Sequence, residues 1–322
     1  MDAPRGLRPH LVPCLGTIQV SDSAACVIVG DDGGTPIHMT YTDSGEPTSD
    51  LHILLLHGLF DQRNTWSALT PYLVAAGFHV IAPDFVGFGA SSRPLLLDRP
   101  ADERYSMDMQ VEFLRTFIQK LELDNLVVIG SSLGGGAALR MLCTPWPLAP
   151  CVRALILEDA AGYPQALPAH LQLISGWPGR LLLLPWMQSL SLAMGVARRL
   201  TGRTFRQAFY DAQKISPALI DDAVSMLQTP NTLYAYRESA RNLIPQDLDT
   251  FVERYCELDL PTLILWGRDD RIVAPLFALL FQEQITDSTL HVFDECGHAP
   301  HLELPVETAV VIRDWLRRHV VC

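Results

Sequence analysis

Positive charge is scarce in this sequence. Its 24 lysines and arginines face 36 aspartates and glutamates, which gives a formal net charge of -12 over 322 residues. A field of that sign repels phosphate backbones, so we expect no nucleic-acid partner. Lysine is especially rare, because the chain holds Lys120 and Lys214 alone, and neither is followed by Ser or Thr. This pattern excludes a phosphate-binding P-loop.

The sequence also lacks paired cysteines. Its seven cysteines are scattered, and no two of them form a C-x-x-C motif. An odd number of dispersed cysteines favours free thiols in a reducing compartment. The first fifteen residues contain three prolines and no continuous apolar run of the length that a signal peptide needs. These features predict a cytoplasmic protein.

Long apolar runs are missing as well. Residues 181–197 carry no charge, but they include Pro185, Gln188 and two serines. A spanning helix needs about twenty predominantly apolar residues, so we expect no transmembrane segment here. The stretch suits either a buried helix or an apolar wall that faces a substrate, and peripheral membrane contact is a further alternative.

Short strand-like runs alternate with helical segments along most of the chain. Apolar types make up 48% of the residues, which is enough for a sizeable core. Compact apolar runs suit buried strands at residues 51–56, 78–82, 126–129, 152–157, 262–266 and 289–293. After Ser106, which can cap a helix, apolar residues recur at helical spacing and predict a helix. Residues 133–143 and residues 305–319 predict two further helices. This order predicts an α/β fold with a mostly parallel central sheet and helices on both faces.

Two regions depart from this alternation. Residues 17–42 contain short β-rich pieces broken by turn residues, which predicts an antiparallel hairpin region. Residues 163–259 contain no convincing strand and predict a helical insertion. The chain is therefore expected to form a core in two parts, residues 1–162 and 260–322, separated by that insertion.

The strand-like run LVVI leads directly into Gly130-Ser131-Ser132-Leu133-Gly134 and then into a helix. This is a G-x-S-x-G motif in its required strand-turn-helix setting, where a strained turn presents the central serine above the sheet. The two outer glycines let the strand and the helix approach each other closely. The motif alone could be a plain glycine-rich turn, but its setting favours Ser132 as a catalytic nucleophile.

A serine hydroxyl needs a base, and the base needs an orienting acid. In open α/β sheets these groups are expected at the carboxyl ends of later strands. One such strand ends in Gly267-Arg268-Asp269-Asp270, and the last one is followed by Gly297-His298. His298 is the predicted base, with His301 as its rival. His298, His301 and Glu303 match no zinc-binding spacing, so we expect no metal.

An oxyanion that develops on the substrate needs backbone N–H donors. In a strand-turn-helix site one donor is the residue after the nucleophile, here Leu133, and the other lies in the loop after an early strand. That loop is His57-Gly58-Leu59-Phe60, which makes the Leu59 amide the second predicted donor.

Five motifs in order, LLLHGLF, PDFVGFGASS, GSSLGG, ILWGRDDRIV and CGHAPHLELP, resemble the α/β-hydrolase fold superfamily over about residues 51–316. The resemblance implies that Asp270, the last residue of W-G-x-x-D, is the acid. Asp269 is the second choice and Asp159 the third. It also implies that residues 163–259 form a helical cap over the site.

The insertion is rich in large apolar side chains that could either line an apolar substrate pocket or pack internally. With Phe60, the candidates for the pocket are Trp177, Trp186, Met187, Met194, Phe205 and Phe209.

Departures of this sequence from the patterns of individual subfamilies narrow the range of expected activities. Family members with an aspartate nucleophile, the haloalkane dehalogenases and epoxide hydrolases, are disfavoured by Ser132. Ala299 stands where many carbon-carbon bond hydrolases have a tryptophan.

The resulting prediction is a serine hydrolase, without a cofactor, that acts on a small carboxylic ester with an apolar acyl group. Ser132 would attack, His298 would move the proton, Asp270 would hold the imidazolium, and the Leu59 and Leu133 amides would hold the oxyanion. The alternatives are a carbon-carbon bond hydrolase on diketone-type substrates, a perhydrolase, and a non-catalytic small-molecule receptor on the same scaffold.

Overall fold

A computed structural model describes residues 24–147, 151–166, 168–181 and 183–320. Its centre is an eight-stranded sheet with the order β1-β2-β4-β3-β5-β6-β7-β8. The strands are β1 (Ala24–Asp32), β2 (Thr35–Ser44), β3 (His52–Leu56), β4 (His79–Pro83), β5 (Leu126–Ser131), β6 (Val152–Glu158), β7 (Thr262–Gly267) and β8 (Ser288–Phe293). The six strands predicted from apolar runs are confirmed as β3 to β8.

The sheet is antiparallel at one edge and parallel elsewhere. β1 pairs with β2, and β2 with β4, in antiparallel registers, whereas β4, β3, β5, β6, β7 and β8 run parallel. The predicted hairpin region is thus confirmed over residues 24–42, while residues 17–23 lie outside the described part. Because the carboxyl ends of the parallel strands share one edge of the sheet, the loops that follow β5, β6, β7 and β8 are brought together there.

Helices cover both faces of the sheet. In β3, Leu54 and Leu56 point into one apolar cluster, whereas Ile53 and Leu55 point into another. The outer helices of the core are α1 (Thr70–Ala75), α2 (Met107–Lys120), α3 (Leu133–Leu142), α11 (Leu276–Gln284), α12 (Pro300–Glu303) and α13 (Pro305–His319), with a short 3-10 helix at Arg63–Ala68. Strands buried on both faces must be apolar throughout, which explains the continuous runs in the sequence.

The segment between β6 and β7 is helical, as predicted. It contains α4 (Ala169–Ser175), α5 (Trp177–Leu181), α6 (Pro185–Ala193), α7 (Val196–Ala208), α8 (Pro217–Met226), α9 (Thr232–Arg241) and α10 (Leu248–Phe251), with 3-10 helices at Ala212–Lys214 and Val252–Glu257. No strand occurs in its described residues. None of the helices described in the chain is long and apolar enough to cross a membrane. The division into domains at residues 163 and 259 stays a prediction, as does the cytoplasmic location.

Candidate active site

Ser132 lies in a sharp turn between β5 and α3. Its backbone has φ 51° and ψ -113°, a strained conformation for a residue with a side chain. The turn is fixed on both sides, because Ser132 N donates to Glu158 O at 3.0 Å and Ser132 O accepts from Ala161 N at 2.9 Å. A Cβ atom on Gly134 would lie 2.2 Å from Leu56 O, so only glycine fits there. The local structure is the one that the G-x-S-x-G motif predicts.

Asp270 and His298 meet in a hydrogen bond at the edge of the sheet where Ser132 stands. His298 Nδ1 lies 2.7 Å from Asp270 Oδ2, while Asp270 Oδ1 accepts from the backbone N–H groups of Ile272 and Val273. With Nδ1–H donated to the carboxylate, Nε2 of the neutral ring is left to accept a proton. No hydrogen bond joins Ser132 Oγ to the ring within the described residues, an arrangement that is common before substrate binds.

The carboxylate of Asp269 has a different environment from that of Asp270. Asp269 is half-buried, and its backbone N–H donates to Cys296 O at 2.9 Å. Asp270, in contrast, is buried and directed at the imidazole. Of the two carboxylates left open by the sequence, the geometry favours Asp270 as the partner of His298.

Asp159 provides a third carboxyl group beside this pair. It is fully buried, its Oδ1 accepts from Gly267 N at 3.0 Å, and no donor within the described chain reaches its Oδ2. One oxygen each of Asp159 and Asp270 and a ring nitrogen of His298 lie within 4.8 Å of one another. Burial, followed by the charges of Asp270 and Glu158, raises the pKa of Asp159 well above its usual value. A raised pKa favours the protonated form of the Asp159 carboxyl group, which can donate its proton to Asp270 in a hydrogen bond.

His301, the rival base, is committed to other partners. Its Nδ1 lies 2.8 Å from Glu158 Oε1 and its Nε2 lies 2.8 Å from Thr65 Oγ1. The ring is buried and its centroid lies 4.3 Å from that of Trp66. Burial alone would lower the pKa of His301, but the charge and the hydrogen bond of Glu158 outweigh it and raise that pKa. His301 thus belongs to a buried polar chain behind the site, with no ring nitrogen available to a substrate.

Replacing Glu158 with glutamine is expected to destabilise the protein by about 3 kcal/mol at pH 6, as breaking a buried ion pair does, and by less at pH 9. A histidine whose pKa is raised in the fold stabilises it fully below the unfolded pKa of about 6.5. That stabilisation is lost as the pH rises through the folded pKa. Urea unfolding at both pH values, with exposed Glu46→Gln as the control, measures the difference. An equal loss of stability at pH 6 and pH 9 would contradict the ion pair.

Glu303 connects two parts of the chain, the loop around His298 and the helical insertion. Its carboxylate accepts from Gly297 N at 2.7 Å and from the backbone N–H groups of Tyr210 and Asp211. His298 N itself donates to Ala208 O at 2.6 Å. The carboxylate of Glu303 and the ring of His301 are therefore bound to other protein groups. Sequence reasoning missed this role of Glu303, because Tyr210 and Asp211 lie 93 and 92 positions earlier in the chain.

The two predicted oxyanion donors flank Ser132. Leu133 is the first residue of α3, where an α-helix leaves its N–H groups without intrahelical acceptors. The loop that carries Leu59 also runs close by, since a Cβ atom on Gly58 would lie 3.5 Å from Ser132 Cβ. Next to Leu59, the ring of Phe60 stacks on Tyr236 of α9 with centroids 4.6 Å apart. The start of α3 and the loop of Leu59 thus both lie next to Ser132. The role of the two amides as oxyanion donors stays a prediction.

The predicted pocket residues of the insertion differ widely in exposure. Phe209 is buried next to Ala208, whose carbonyl binds the loop of His298. Met187 and Phe205 are half-buried, whereas Trp177, Trp186 and Met194 are 74%, 63% and 61% exposed. Their place in a pocket stays a prediction. A cavity of about 550 Å³ is lined in part by Val152, Pro261 and Val320, at the opposite edge of the sheet.

The comparison with protein families matches residues 52–305 to the family described as alpha/beta hydrolase fold. The chain belongs to this family. Two curated relatives of this α/β hydrolase are the 2-hydroxymuconate semialdehyde hydrolase of Pseudomonas sp. (strain CF600) and a 2-hydroxy-6-oxononadienedioate/2-hydroxy-6-oxononatrienedioate hydrolase of Pseudomonas putida. The first is 28% identical over 82% of this chain and 86% of the relative. The second is 27% identical over 83% of this chain and 87% of the relative.

Among solved structures, the α/β hydrolase resembles a meta-cleavage product hydrolase mutant from Pseudomonas fluorescens IP01 complexed with acetates. The TM-score is 0.70 at 22% identity, with 90% of this chain and 97% of that chain covered. At this identity the likeness shows the fold alone. The sequence and structure comparisons therefore agree on the α/β-hydrolase fold. The two curated relatives are named as hydrolases of 2-hydroxymuconate semialdehyde and of 2-hydroxy-6-oxononadienedioate or 2-hydroxy-6-oxononatrienedioate.

Proposed function

We propose that this chain is a serine hydrolase that cleaves a carbon-carbon bond next to a carbonyl group in a conjugated diketone-type substrate. The observation that carries the hydrolase chemistry is the 2.7 Å hydrogen bond between His298 Nδ1 and Asp270 Oδ2, at the sheet edge that also bears Ser132. The type of bond comes from the curated relatives, which match more than four-fifths of the chain.

In the proposed reaction, Ser132 Oγ attacks the ketone carbon and its proton passes to His298 Nε2. The carbonyl oxygen becomes an oxyanion, which the Leu59 and Leu133 amides stabilise. Asp270 holds the ring in the required tautomer and stabilises the imidazolium. These groups form one nucleophilic unit of the kind that acyl transfer needs.

Collapse of the tetrahedral intermediate then breaks the bond between the carbonyl carbon and its neighbour. The substrate reacts in its keto tautomer, in which the proton of the 2-hydroxyl group has moved to the leaving carbon. The electron pair of the broken bond passes to that carbon, where conjugation with the second carbonyl spreads the charge as an enolate. His298 returns its proton to that fragment, and an acyl group stays on Ser132. Water, deprotonated by His298, hydrolyses the acyl-enzyme and restores the serine.

We further propose that residues 163–259 act as the cap and that residues 1–162 and 260–322 form the core. Support comes from the contacts of the insertion with the site: Ala208 O accepts from His298 N, and the ring of Tyr236 stacks on Phe60. Of the predicted pocket residues, Phe60 takes part in the second contact and Phe209 directly follows Ala208 in the chain. A cap attached at these points would exclude water from the developing oxyanion.

Hydrolysis of a carboxylic ester with an apolar acyl group is the second candidate. It needs the same nucleophile, base and acid, because an ester carbonyl is attacked in the same way. Ala299 favours it, since a small side chain stands directly after His298 where the resemblance often places tryptophan in carbon-carbon bond hydrolases.

Comparative kinetics test the proposal. The purified protein is assayed with a 2-hydroxy-6-oxo-hexa-2,4-dienoate bearing an alkyl or aryl ketone and with p-nitrophenyl esters of increasing chain length. We expect kcat/KM for the dienoate to exceed that of the best ester by at least about a hundredfold. The opposite preference would reject carbon-carbon cleavage as the main activity and support the ester candidate.

A further inference from the structure

Charge is unevenly distributed between the insertion and the rest of the chain. Residues 160–210 contain no aspartate or glutamate, although the whole chain has a net charge of -12. The same segment contains five arginines, which are Arg180, Arg198, Arg199, Arg203 and Arg206. All five are exposed. The segment is thus a basic region on an acidic protein.

Large apolar side chains are exposed in the same segment. Trp177 is 74% exposed and Trp186 is 63% exposed. The others with exposed side chains are Leu173, Leu181, Leu184, Leu190, Met194, Val196, Leu200 and Tyr210. Single exposed leucines are ordinary on protein surfaces, but such a concentration that includes two tryptophans marks an interaction site.

The exposed residues of α6 share one side of that helix. Trp186 and Leu190 are four residues apart, and Met194, the residue that ends the helix, follows after four more. Side chains at this spacing lie above one another on a single helix face. These three side chains therefore point outward together.

In α7 the outward side carries both apolar and basic side chains. Arg199 and Arg203 are four residues apart and flank the exposed Leu200. The opposite side faces the protein, since Gly202 is buried and Arg198 forms an ion pair with Asp221 of α8. Within the described residues, Arg199, Arg203 and Arg206 form no salt bridge. Their charges are therefore free to meet an anionic partner.

We propose that this outward surface binds the surface of a lipid bilayer that contains anionic phospholipids. We call it the apolar-basic face and define it by Trp186, Leu190 and Met194 on α6 and by Arg199, Leu200, Arg203 and Arg206 on α7. Tryptophan and leucine side chains enter the boundary between head groups and acyl chains, while arginines bind lipid phosphates. None of the described helices can span a bilayer, so this binding is peripheral.

The charge pattern favours a lipid surface over a second copy of the chain as the partner of the apolar-basic face. A symmetric dimer through the apolar-basic face would place arginines opposite arginines, because residues 160–210 offer no acid to pair with them. An anionic bilayer instead supplies negative charge across the whole face, and each arginine near the surface adds to the attraction. Self-association is therefore an outcome of the test rather than the proposal.

Vesicle binding by the full-length chain tests the proposal. In low salt, we expect the partition coefficient for vesicles of phosphatidylcholine with phosphatidylglycerol to exceed that for pure phosphatidylcholine by at least about tenfold. Tryptophan emission should shift to the blue on binding, because Trp177 and Trp186 are exposed whereas Trp66, Trp266 and Trp315 are buried already. Absence of binding to the anionic vesicles would overturn the proposal.

Two variants locate the binding surface. Arg199→Glu/Arg203→Glu/Arg206→Glu should lower the partition coefficient by about a hundredfold or more, and Leu190→Ser/Leu200→Ser by about tenfold. The matched controls change as many exposed residues elsewhere: Arg153→Glu/Arg317→Glu/Arg318→Glu and Leu276→Ser/Leu279→Ser. Equal binding by the face variants and their controls would refute the proposal. A dimer in light scattering that the triple arginine variant disperses would also refute it, in favour of self-association.

Discussion

Ser132→Ala is expected to lower kcat by at least about 10³-fold, whichever of the two carbonyl substrates is used. The variant removes the hydroxyl group that the strained turn holds at the start of α3. Alanine fits the same backbone, and the side chain of Ser132 makes no hydrogen bond within the described chain that its loss could break. The protein should therefore stay folded, and the measurement is steady-state turnover beside a thermal melt.

Ser131→Ala is the matched control for this variant. Ser131 is the last residue of β5 and is buried, and it lies just before the strained turn that presents Ser132. Its removal should change kcat by less than about threefold, within the range of an indirect effect. Comparable losses in both variants, or wild-type turnover by a folded Ser132→Ala protein, would contradict the role of Ser132.

Asp270→Asn is expected to lower kcat by about 10⁴-fold, while Asp159→Asn keeps kcat within about tenfold of wild type. An asparagine at 270 can donate its N–H to His298 Nδ1, which fixes the wrong tautomer and leaves Nε2 protonated. An asparagine at 159 imitates the protonated carboxyl group that the raised pKa of Asp159 favours. It keeps an oxygen for Gly267 N and gains an N–H for Asp270.

The pair of variants distinguishes the two carboxyl groups by their chemistry rather than by their position. Melting curves check that both proteins fold, and kcat is measured over pH 6 to 9. If Asp159→Asn lost as much activity as Asp270→Asn, the two groups would act as one unit. If Asp270→Asn alone were nearly active, Asp159 would be the acid that orients His298.

The sequence sufficed for the elements that depend on local patterns. The runs at residues 51–56 and 126–129 predicted buried strands because parallel strands covered on both faces contain apolar residues at every position. The motif around Ser132 predicted its turn, since close packing of β5, α3 and β3 leaves no room for a Cβ at Gly134. In both cases the physical cause acts on neighbouring residues.

What the sequence left open depends on contacts between distant residues. Asp269 and Asp270 are adjacent in the chain, and the fold alone directs Asp270 at His298, 28 positions later. His301 looked like a rival base because its partners Glu158 and Thr65 lie 143 and 236 positions away. The hydropathy of the sequence likewise did not indicate whether Trp186 points inward or outward, because an apolar helix is compatible with either orientation.

Covalent labelling with a fluorophosphonate probe tests the central claim, a nucleophilic Ser132 activated by His298, most directly. Trypsin cleavage after Lys120 and Arg140 releases residues 121–140, in which fragmentation separates Ser131 from Ser132. The account predicts one adduct, on Ser132, that forms at least about 10³-fold more slowly in His298→Ala. A folded wild-type protein that stays unlabelled, or that carries its adduct on another residue, would contradict it.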